Sequence, residues 1–438
     1  MYKPRLHVMV TVMTALACAL LALPAAADSQ VRIVRLSDVQ GRVQIDKNSG
    51  FGFENAFTNL PVTQGIQLRT GANGRAEVEF EDGSTLRVTP NTTVEFSKLA
   101  VNDAGKHIST VNLVDGRVYA NWLGKSGDEF TLNFSREKVE LNQPAHLRVT
   151  SSSNSLEVAS FKNDVEVTGP SGAVKVEKKK MVDFDVDEND KSSTAKNLQT
   201  DPYDDWDKQS TEYHDQYSAK NNSTLNGYGT SDLNYYGTYN NVPGFGMMWQ
   251  PYFTGVGWNP FMDGAWSWYP GMGYMWASAY PWGWMPYYYG NWAYAPGFGW
   301  GWQPGTGIGN GWHGGIHYVG AVEGFRPPVA PAGTTSTVVV GKGGPVLTNA
   351  PVMHTVVSKG SAGLGIPRGS YGNLHQLNTQ VAKTGSVELH AAPQFAATSS
   401  RAGSGFGGQA AAGFGEAGHA SGTSAGHASS VGGGHTGH

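Results

Sequence analysis

RAEVEFEDGSTLRV, residues 75–88, decides the fold class. Apolar and polar residues alternate through Ala76-Glu77-Val78-Glu79-Phe80, Asp82-Gly83 interrupts, and alternation resumes through Thr85-Leu86-Arg87-Val88. A period of two puts successive side chains on opposite faces of a strand, and Asp-Gly supplies the backbone freedom of a tight hairpin turn. The segment therefore predicts a half-buried hairpin. The same device recurs outward. Residues 111–114 and 117–119 flank Asp115-Gly116, and residues 156–167 hold another pair of strands around Lys162-Asn163-Asp164. The spacing over 30–188 predicts roughly ten to twelve short strands, as in sandwiches and barrels.

The wider run PVTQGIQLRTGANGRAEVEFEDGSTLRVTPNTTVEF (61–96) resembles the centre of a FecR-type domain. Its Gly65-to-Gly71 entry, Asp-Gly-Ser turn and Pro-Asn exit follow the family's order. Gly41-Arg42-Val43 upstream, VNLVDGRVYANW (111–122) and SLEVASFKNDVEVTG (155–169) downstream match further family motifs, with Asn163-Asp164 replacing the usual glycine-centred turn. The resemblance implies a periplasmic β-sandwich or jelly-roll-like domain in signal transduction, relaying ligand status from an outer-membrane receptor to a sigma factor. That relay requires a cytoplasmic segment and a membrane span before the domain. Here residues 1–27 read as a cleavable signal peptide: Lys3 and Arg5, an apolar run over 8–23, then Ala25-Ala26-Ala27. The β scaffold carries over, and the direct relay does not follow.

Composition narrows the function. The formal net charge is −4, which leaves no basic footprint for nucleic acid. The single cysteine, Cys18, lies in the leader, so the mature chain has neither disulfide nor cysteine chemistry. No later apolar run is long enough to span a bilayer. The expected location is the periplasm or the outer envelope of a bacterium.

After the β domain (28–190), residues 191–232 read as a linker with one short helix. Asp201 can cap it, Pro202 suits its first position, and Tyr203, Trp206, Tyr213 and Tyr217 share a face. That aromatic stripe is expected to dock on a neighbouring β domain.

Residues 233–318 hold an internal repeat, G-x-[WY]-x-x-x-P-G-x-G-x-x-W, starting at Gly237, Gly264 and Gly290. Pro-Gly suits the two central positions of a type II turn, so each copy predicts a β-hairpin, with a third strand beginning near Gly257-Trp258, Gly283-Trp284 and Gly311-Trp312. Tryptophans two apart, such as Trp266 and Trp268 or Trp282 and Trp284, would share a strand face and form a stacked aromatic layer. The segment holds 11 of the 13 tryptophans and no Lys or Arg. YPWGWMPYYYGNWAYAPGFGWGWQPG (280–305), with the entry SDLNYYGTY (231–239), resembles an uncharacterised Trp/Gly-rich repeat family that often follows FecR-like domains in bacterial exported proteins. That family implies architecture and no chemistry.

From 319 to 438 Gly, Ala and Ser dominate, and the segment reads as a mostly disordered tail with short strand candidates at 335–340 and 352–357 and a turn at 364–372.

The reading is all-β, with two modules and no enzyme. His419, His427, His435 and His438 sit on glycine-rich chain without the supporting shell of a tight metal site. His313 and His317 are four apart among glycines that oppose a helix, and the 309–314 G-x-G-x-x-G run lacks the strand and helix of a dinucleotide fold. Asp263 is the one acid in 233–318, so the carboxylate pair of a glycosidase is missing there. No catalytic, cofactor-binding or metal-ligating residue is assigned. Two uses remain for the rings. They interlock the hairpins as core, or they stack on sugar faces, with Trp266, Trp282, Trp284, Tyr287, Tyr288, Tyr289 and Trp292 as the candidates and at least one of the adjacent tyrosines exposed. The expected role is a periplasmic binding or signalling adaptor with an envelope protein partner. The alternatives are a module binding cell-wall glycan and a structural surface protein.

Overall fold

The computed structural model describes residues 32–124, 127–153, 155–185, 188–195, 197–218, 229–304, 318–319, 322–333, 337–341 and 355–389. The leader, Gly311-Trp312, the 309–314 run, the six histidines named above and the last part of the tail lie outside the described residues.

Among the described residues the first module contains 17 strands, more than the spacing predicts, arranged in two hydrogen-bonded rows that share the long strand His107–Trp122. One row holds Val34–Gln40, Arg75–Glu79, Thr85–Val88, the second half of the shared strand, Ala145–Ser152, Ser155–Lys162, Met181–Asp185 and Lys191–Thr194. The other holds Val43–Asp46, Gln67–Thr70, Thr93–Val101, the first half of the shared strand, Glu129–Phe134, Glu137–Leu141, Val165–Gly169 and Gly172–Val176. Their apolar faces form one buried cluster, with Val34, Val78, Leu86 and Val149 from the first row and Ile45, Leu68, Val94 and Leu132 from the second. The all-β sandwich expected from residues 75–88 is present, and those residues form its predicted hairpin, Ala76 opposite Val88 and Glu79 opposite Thr85.

Two predicted hairpins are instead crossings between rows. Asp115-Gly116 does not reverse the chain. Gly116 has φ 101°, and a Cβ there would lie 2.4 Å from Thr92 Oγ1, so the strand slips past the Thr92 backbone into the other row. Asn163-Asp164 does turn the chain, but the strands on either side pair with different rows. Alternation looks the same in a hairpin and in a strand that changes sheets; only long-range pairing separates them.

The expected linker is largely structured. Lys191–Thr194 pairs with Met181–Asp185 and belongs to the sandwich. Helix α1 (Asp204–Ser218) follows, then α2 (Thr230–Tyr236), which occupies the entry run and carried no helical expectation. Asp201 caps α1 as predicted. Its carboxylate accepts from the Tyr203 N–H, and the Asp204 carboxylate accepts in return from the Asp201 N–H.

The three repeats are hairpins: Gly237–Val242 with Gly246–Pro251, Gly264–Tyr269 with Gly273–Ser278, and Asn291–Ala295 with Gly299–Gln303. Gly244, Gly271 and Gly297 take φ of 80°, 75° and 81° in the Pro-Gly turns, as a type II centre requires. The first glycine and last tryptophan of the motif form one device. A Cβ on Gly264 would lie 2.2 Å from the Trp276 ring, and on Gly237 2.4 Å from the Trp249 ring, so each indole lies across a glycine of the paired strand.

The hairpins do not stack in sequence order. The first and third join through Trp249 and Trp302 in a sheet extended by Tyr318–Val319, while the second pairs with Val338–Val340, within the 335–340 candidate. No third strand starts at Gly257-Trp258, which lies in a turn, or at Gly283-Trp284, which leads into α3 (Met285–Tyr288). Trp282 and Trp284 therefore do not share a strand face.

Residues 355–389 are folded rather than tail. Thr355–Ser358 and Ser386–Leu389 pair around α4 (Leu374–Thr384), whose Leu374, Leu377 and Val381 recur at helical spacing. The chain before α4 is pinned to the aromatic core. Trp282 Nε1 donates to the Ala362 carbonyl at 2.7 Å, and the Tyr236 hydroxyl to the Ile366 carbonyl at 2.7 Å.

Candidate functional site: a buried ionic junction

Alternation directs Arg35, Glu77, Glu79 and Arg87 to the polar face of the first row, away from the apolar core. That face is not left to water. α1, α2 and the segment before α4 cover it, and all four side chains are buried.

Burying a charge without a partner costs several kcal/mol, so each must find its opposite. Arg87 donates from Nε to Glu77 at 2.8 Å and from Nη1 to Asp207 of α1 at 2.6 Å. The second Asp207 oxygen lies 2.7 Å from His146 Nε2. Glu77 also meets His214 Nε2 at 2.9 Å and Arg368 Nη1 at 2.8 Å. Arg368 reaches on to Asp232 of α2 at 2.5 Å, and Asp232 in turn meets Arg35 at 2.6 Å. Arg35 closes the circuit on Glu79 at 3.1 Å, whose other oxygen accepts the Gly229 N–H at 2.9 Å. Farther along the face Arg148 pairs with Asp204 at 2.6 Å, and Arg117 with the capping Asp201.

The aromatic stripe of α1 docks on this face, as expected, beside the acids. Arg75 stands over the Trp206 ring at 5.2 Å, and Tyr213 donates to Asp232 at 2.7 Å. The second hairpin joins the sandwich by a polar seam. Arg35 Nη2 donates to the Pro281 carbonyl at 2.7 Å, Asn59 Nδ2 to the Ser278 and Tyr280 carbonyls at 2.9 and 2.7 Å, and Lys47 Nζ to Ser267 Oγ at 2.8 Å.

The electrostatics divide the acids. Burial alone would raise Glu77, but His214, Arg87 and Arg368 outweigh it and hold the carboxyl well below its usual range. Burial likewise opposes Asp207 and Asp232, and Arg87 with His146, and Arg368 with Arg35, pull them down. For Glu79 and Asp38 burial prevails and the carboxyls are raised. The groups at the centre of the junction are committed to one another. Its chemistry is orientation: directional charged contacts in a water-excluded seam fix how the helices, the 355–389 segment and the aromatic hairpins sit on the sandwich.

The predicted ligand-stacking rings lie elsewhere, inside the aromatic core. Trp266, Trp282, Trp284, Tyr287, Tyr288 and Trp292 expose no more than 6% of their surface, and Tyr289 is half-buried, so none of the three adjacent tyrosines is exposed. Trp282 is the hub: it stacks on Tyr280 with centroids 4.9 Å apart and meets Trp249, Trp258, Tyr287 and Trp292. The Tyr287 and Tyr288 hydroxyls donate to the Pro260 and Trp276 carbonyls, which turns both rings inward. Asp263 accepts from the Tyr280 hydroxyl at 3.1 Å. A cleft of about 510 Å³ is lined by Asn259, Phe261, Phe325, Arg326 and Val340 among others, and none of the seven rings lines it. Among the described residues no group of three or more His, Cys, Asp or Glu is placed to hold a metal, and no helix is long and apolar enough to cross a membrane.

None of the junction residues was singled out from the sequence as part of a site, and Asp201 was named only as a helix cap. A signal existed: an acidic start to α1, from which Asp204 and Asp207 face strands that carry arginines on their polar positions.

Residues 66–166 match the family model described as FecR protein, and residues 230–326 match a family of unknown function, DUF6600. The two matches fall on the two segments whose motifs carry the resemblances. Two crystal structures of a candidate anti-sigma factor from Parabacteroides distasonis are similar over part of the chain. The 2.50 Å structure has 16% identity, covers 34% of this chain and 71% of its own, with a TM-score of 0.28. The 1.65 Å structure has 15% identity, covers 37% and 81%, with a TM-score of 0.28. No curated protein matches.

Proposed function

We propose that this chain is a non-enzymatic adaptor of the bacterial envelope, exported by its leader, that presents a FecR-type sandwich to a protein partner, with the aromatic module as a rigid support. The observation that carries the reading is the FecR match over 66–166 together with the way its charged sheet face is used. That face is occupied from within by α1, α2 and Arg368, which leaves the rest of the sandwich surface as the recognition surface. The burial of six of the seven rings, with Tyr289 half-buried, weighs against sugar stacking, because a pyranose needs an open ring face.

The test uses the mature chain. Photo-crosslinkers on exposed sandwich positions, such as Val114, should yield one discrete protein adduct in the envelope of the source cell. Purified sacculi should not retain the chain. Saturable retention on sacculi with a change in tryptophan fluorescence would replace the adaptor reading by the glycan one.

A further inference from the structure

The cleft of about 510 Å³ on the aromatic module has walls that the core holds in place. Phe261 is 3% exposed. Its N–H donates to Asn259 Oδ1 at 3.0 Å, and its ring meets Tyr287 edge-on with centroids 5.7 Å apart. Phe325 lies 6.1 Å from Phe261 and 4.8 Å from Trp300. The Phe325 N–H donates to the Val322 carbonyl at 3.0 Å and closes a turn in which Gly324 has φ 76°. Half-buried Pro328 and Val340, the latter paired opposite Gly264, complete the apolar lining. The cleft is thus preformed, and its size is that of a small-ligand or peptide pocket.

Its charged residues are exposed. Glu323 and Arg326 line the cleft, and among the described residues neither has a hydrogen-bond or ion-pair partner. Arg326 follows Phe325 directly and is the one Lys or Arg between Lys220 and Lys342. Arg35, Arg87 and Arg368, by contrast, are each committed to acids of this chain. A free guanidinium beside a rigid apolar pocket suits a carboxylate, which its planar fork binds through two parallel hydrogen bonds. We propose that the cleft binds the C-terminal residue of an extended partner chain, with its large apolar side chain against Phe261, Phe325 and Pro328 and its carboxylate on Arg326. Geometry favours a chain end over an internal acid. A terminal residue carries its side chain and its carboxylate on one Cα, whereas an internal acid and the apolar residue next to it point to opposite faces of an extended chain. Residues two apart share a face, so a basic side chain two positions before the terminus is the one that reaches Glu323.

The inference stands apart from the adaptor reading, since no residue that lines the cleft belongs to the sandwich. Crosslinking at Val114 tests that reading, and peptide titration of the purified mature chain tests this one. The probe is acetyl-Lys-Gly-Phe with a free carboxylate, titrated by calorimetry at low salt. A single site is expected, with Kd on the order of 10⁻⁵–10⁻⁴ M. The same peptide as its C-terminal amide, and acetyl-Phe-Glu-Gly amide with its acid internal, should each bind at least about tenfold more weakly. Arg326 is exposed, so Arg326→Gln should leave Tm unchanged while weakening the free-acid peptide by about tenfold or more, and Arg326→Lys, which keeps the charge without the fork, should fall between the two. No binding of the free-acid peptide to the wild-type chain would overturn the site. Equal affinity for acid and amide, or affinity that survives Arg326→Gln, would do the same, and equal affinity for the internal acid would overturn the chain-end assignment.

Discussion

The Arg35 guanidinium lies 2.6 Å from the Asp232 carboxylate, although one residue sits in the first strand of the sandwich and the other in the helix that opens the aromatic module. Both are buried, and Arg368 from a third part of the chain shares the same Asp232 oxygen. Removing one member of such a set leaves the others charged and dry. Asp232→Ala should therefore cost about 3–5 kcal/mol in urea unfolding followed by tryptophan fluorescence. Arg368→Met removes only the 355–389 contribution. It should cost less and should make that segment the first site of limited proteolysis while the sandwich remains resistant. Equal resistance of the segment in the variant and the wild type would show that Arg368 does not hold it.

The repeat's glycines separate two physical requirements. Gly264 is needed for space, since a methyl would enter the Trp276 ring, whereas Gly271 is needed for its positive φ and has nothing near its Cβ direction. Gly264→Ala should cost about 3 kcal/mol or more, the range of overpacking in a closed core, and Gly271→Ala about 1 kcal/mol. Equilibrium unfolding of the two single variants measures this directly. The opposite ranking would mean that the hairpin can shift away from the indole.

These glycines also show how far the sequence carries. Pro-Gly turns and the hairpins were legible because they depend on residues within a few positions. The order of the hairpins was not, because Trp249 meets Trp302 across the second repeat. Glu77 and Glu79 were placed on the correct face by alternation, but polar alternation reads as solvent, and nothing local announces that helices 120 or more residues later will cover it. Gly116 and Asn163 failed for the same reason: each marks a break in the strand, and the partner decides whether the break is a hairpin or a crossing. The FecR and Trp/Gly motifs were recovered by the family matches, while Arg368, lost among Gly, Ser and Pro in the presumed tail, carried no local signal at all.

Trp282 should be the most sensitive position of the aromatic core. It is fully buried, touches five other rings and donates to the Ala362 carbonyl. Trp282→Ala should cost about 3–5 kcal/mol. Trp282→Phe retains ring packing but leaves the Ala362 carbonyl without its donor, which adds about 1–3 kcal/mol to the loss of volume. Amide exchange at residues 360–366 is the specific readout. Faster exchange there in Trp282→Phe, with the sandwich unchanged, is expected, and a uniform change across the chain would contradict the assigned contact.

The pH dependence follows from two opposed groups of carboxyls. Glu77, Asp207 and Asp232 are held below their ordinary values, so their contribution is present above about pH 4 and is lost as pH falls through their folded-state values. Glu79, Asp38 and Glu137 are raised, chiefly by burial, and Glu137, with Asp190 beside it, is pushed up to about 7. A raised carboxyl binds its proton more tightly folded than unfolded. Its contribution is present below about pH 4 and is lost as pH rises, for Glu137 through about 7. Stability should decline from about pH 5 toward neutrality as Glu137 gives up its proton. Urea midpoints measured from pH 3 to pH 8 give the profile. Glu137→Gln, which has no proton to lose, should flatten the limb between pH 5 and pH 7 and leave the acid limb unchanged. A wild-type profile that rises steadily from pH 5 to pH 8 would show that the Glu137–Asp190 pair does not hold a proton in the folded chain.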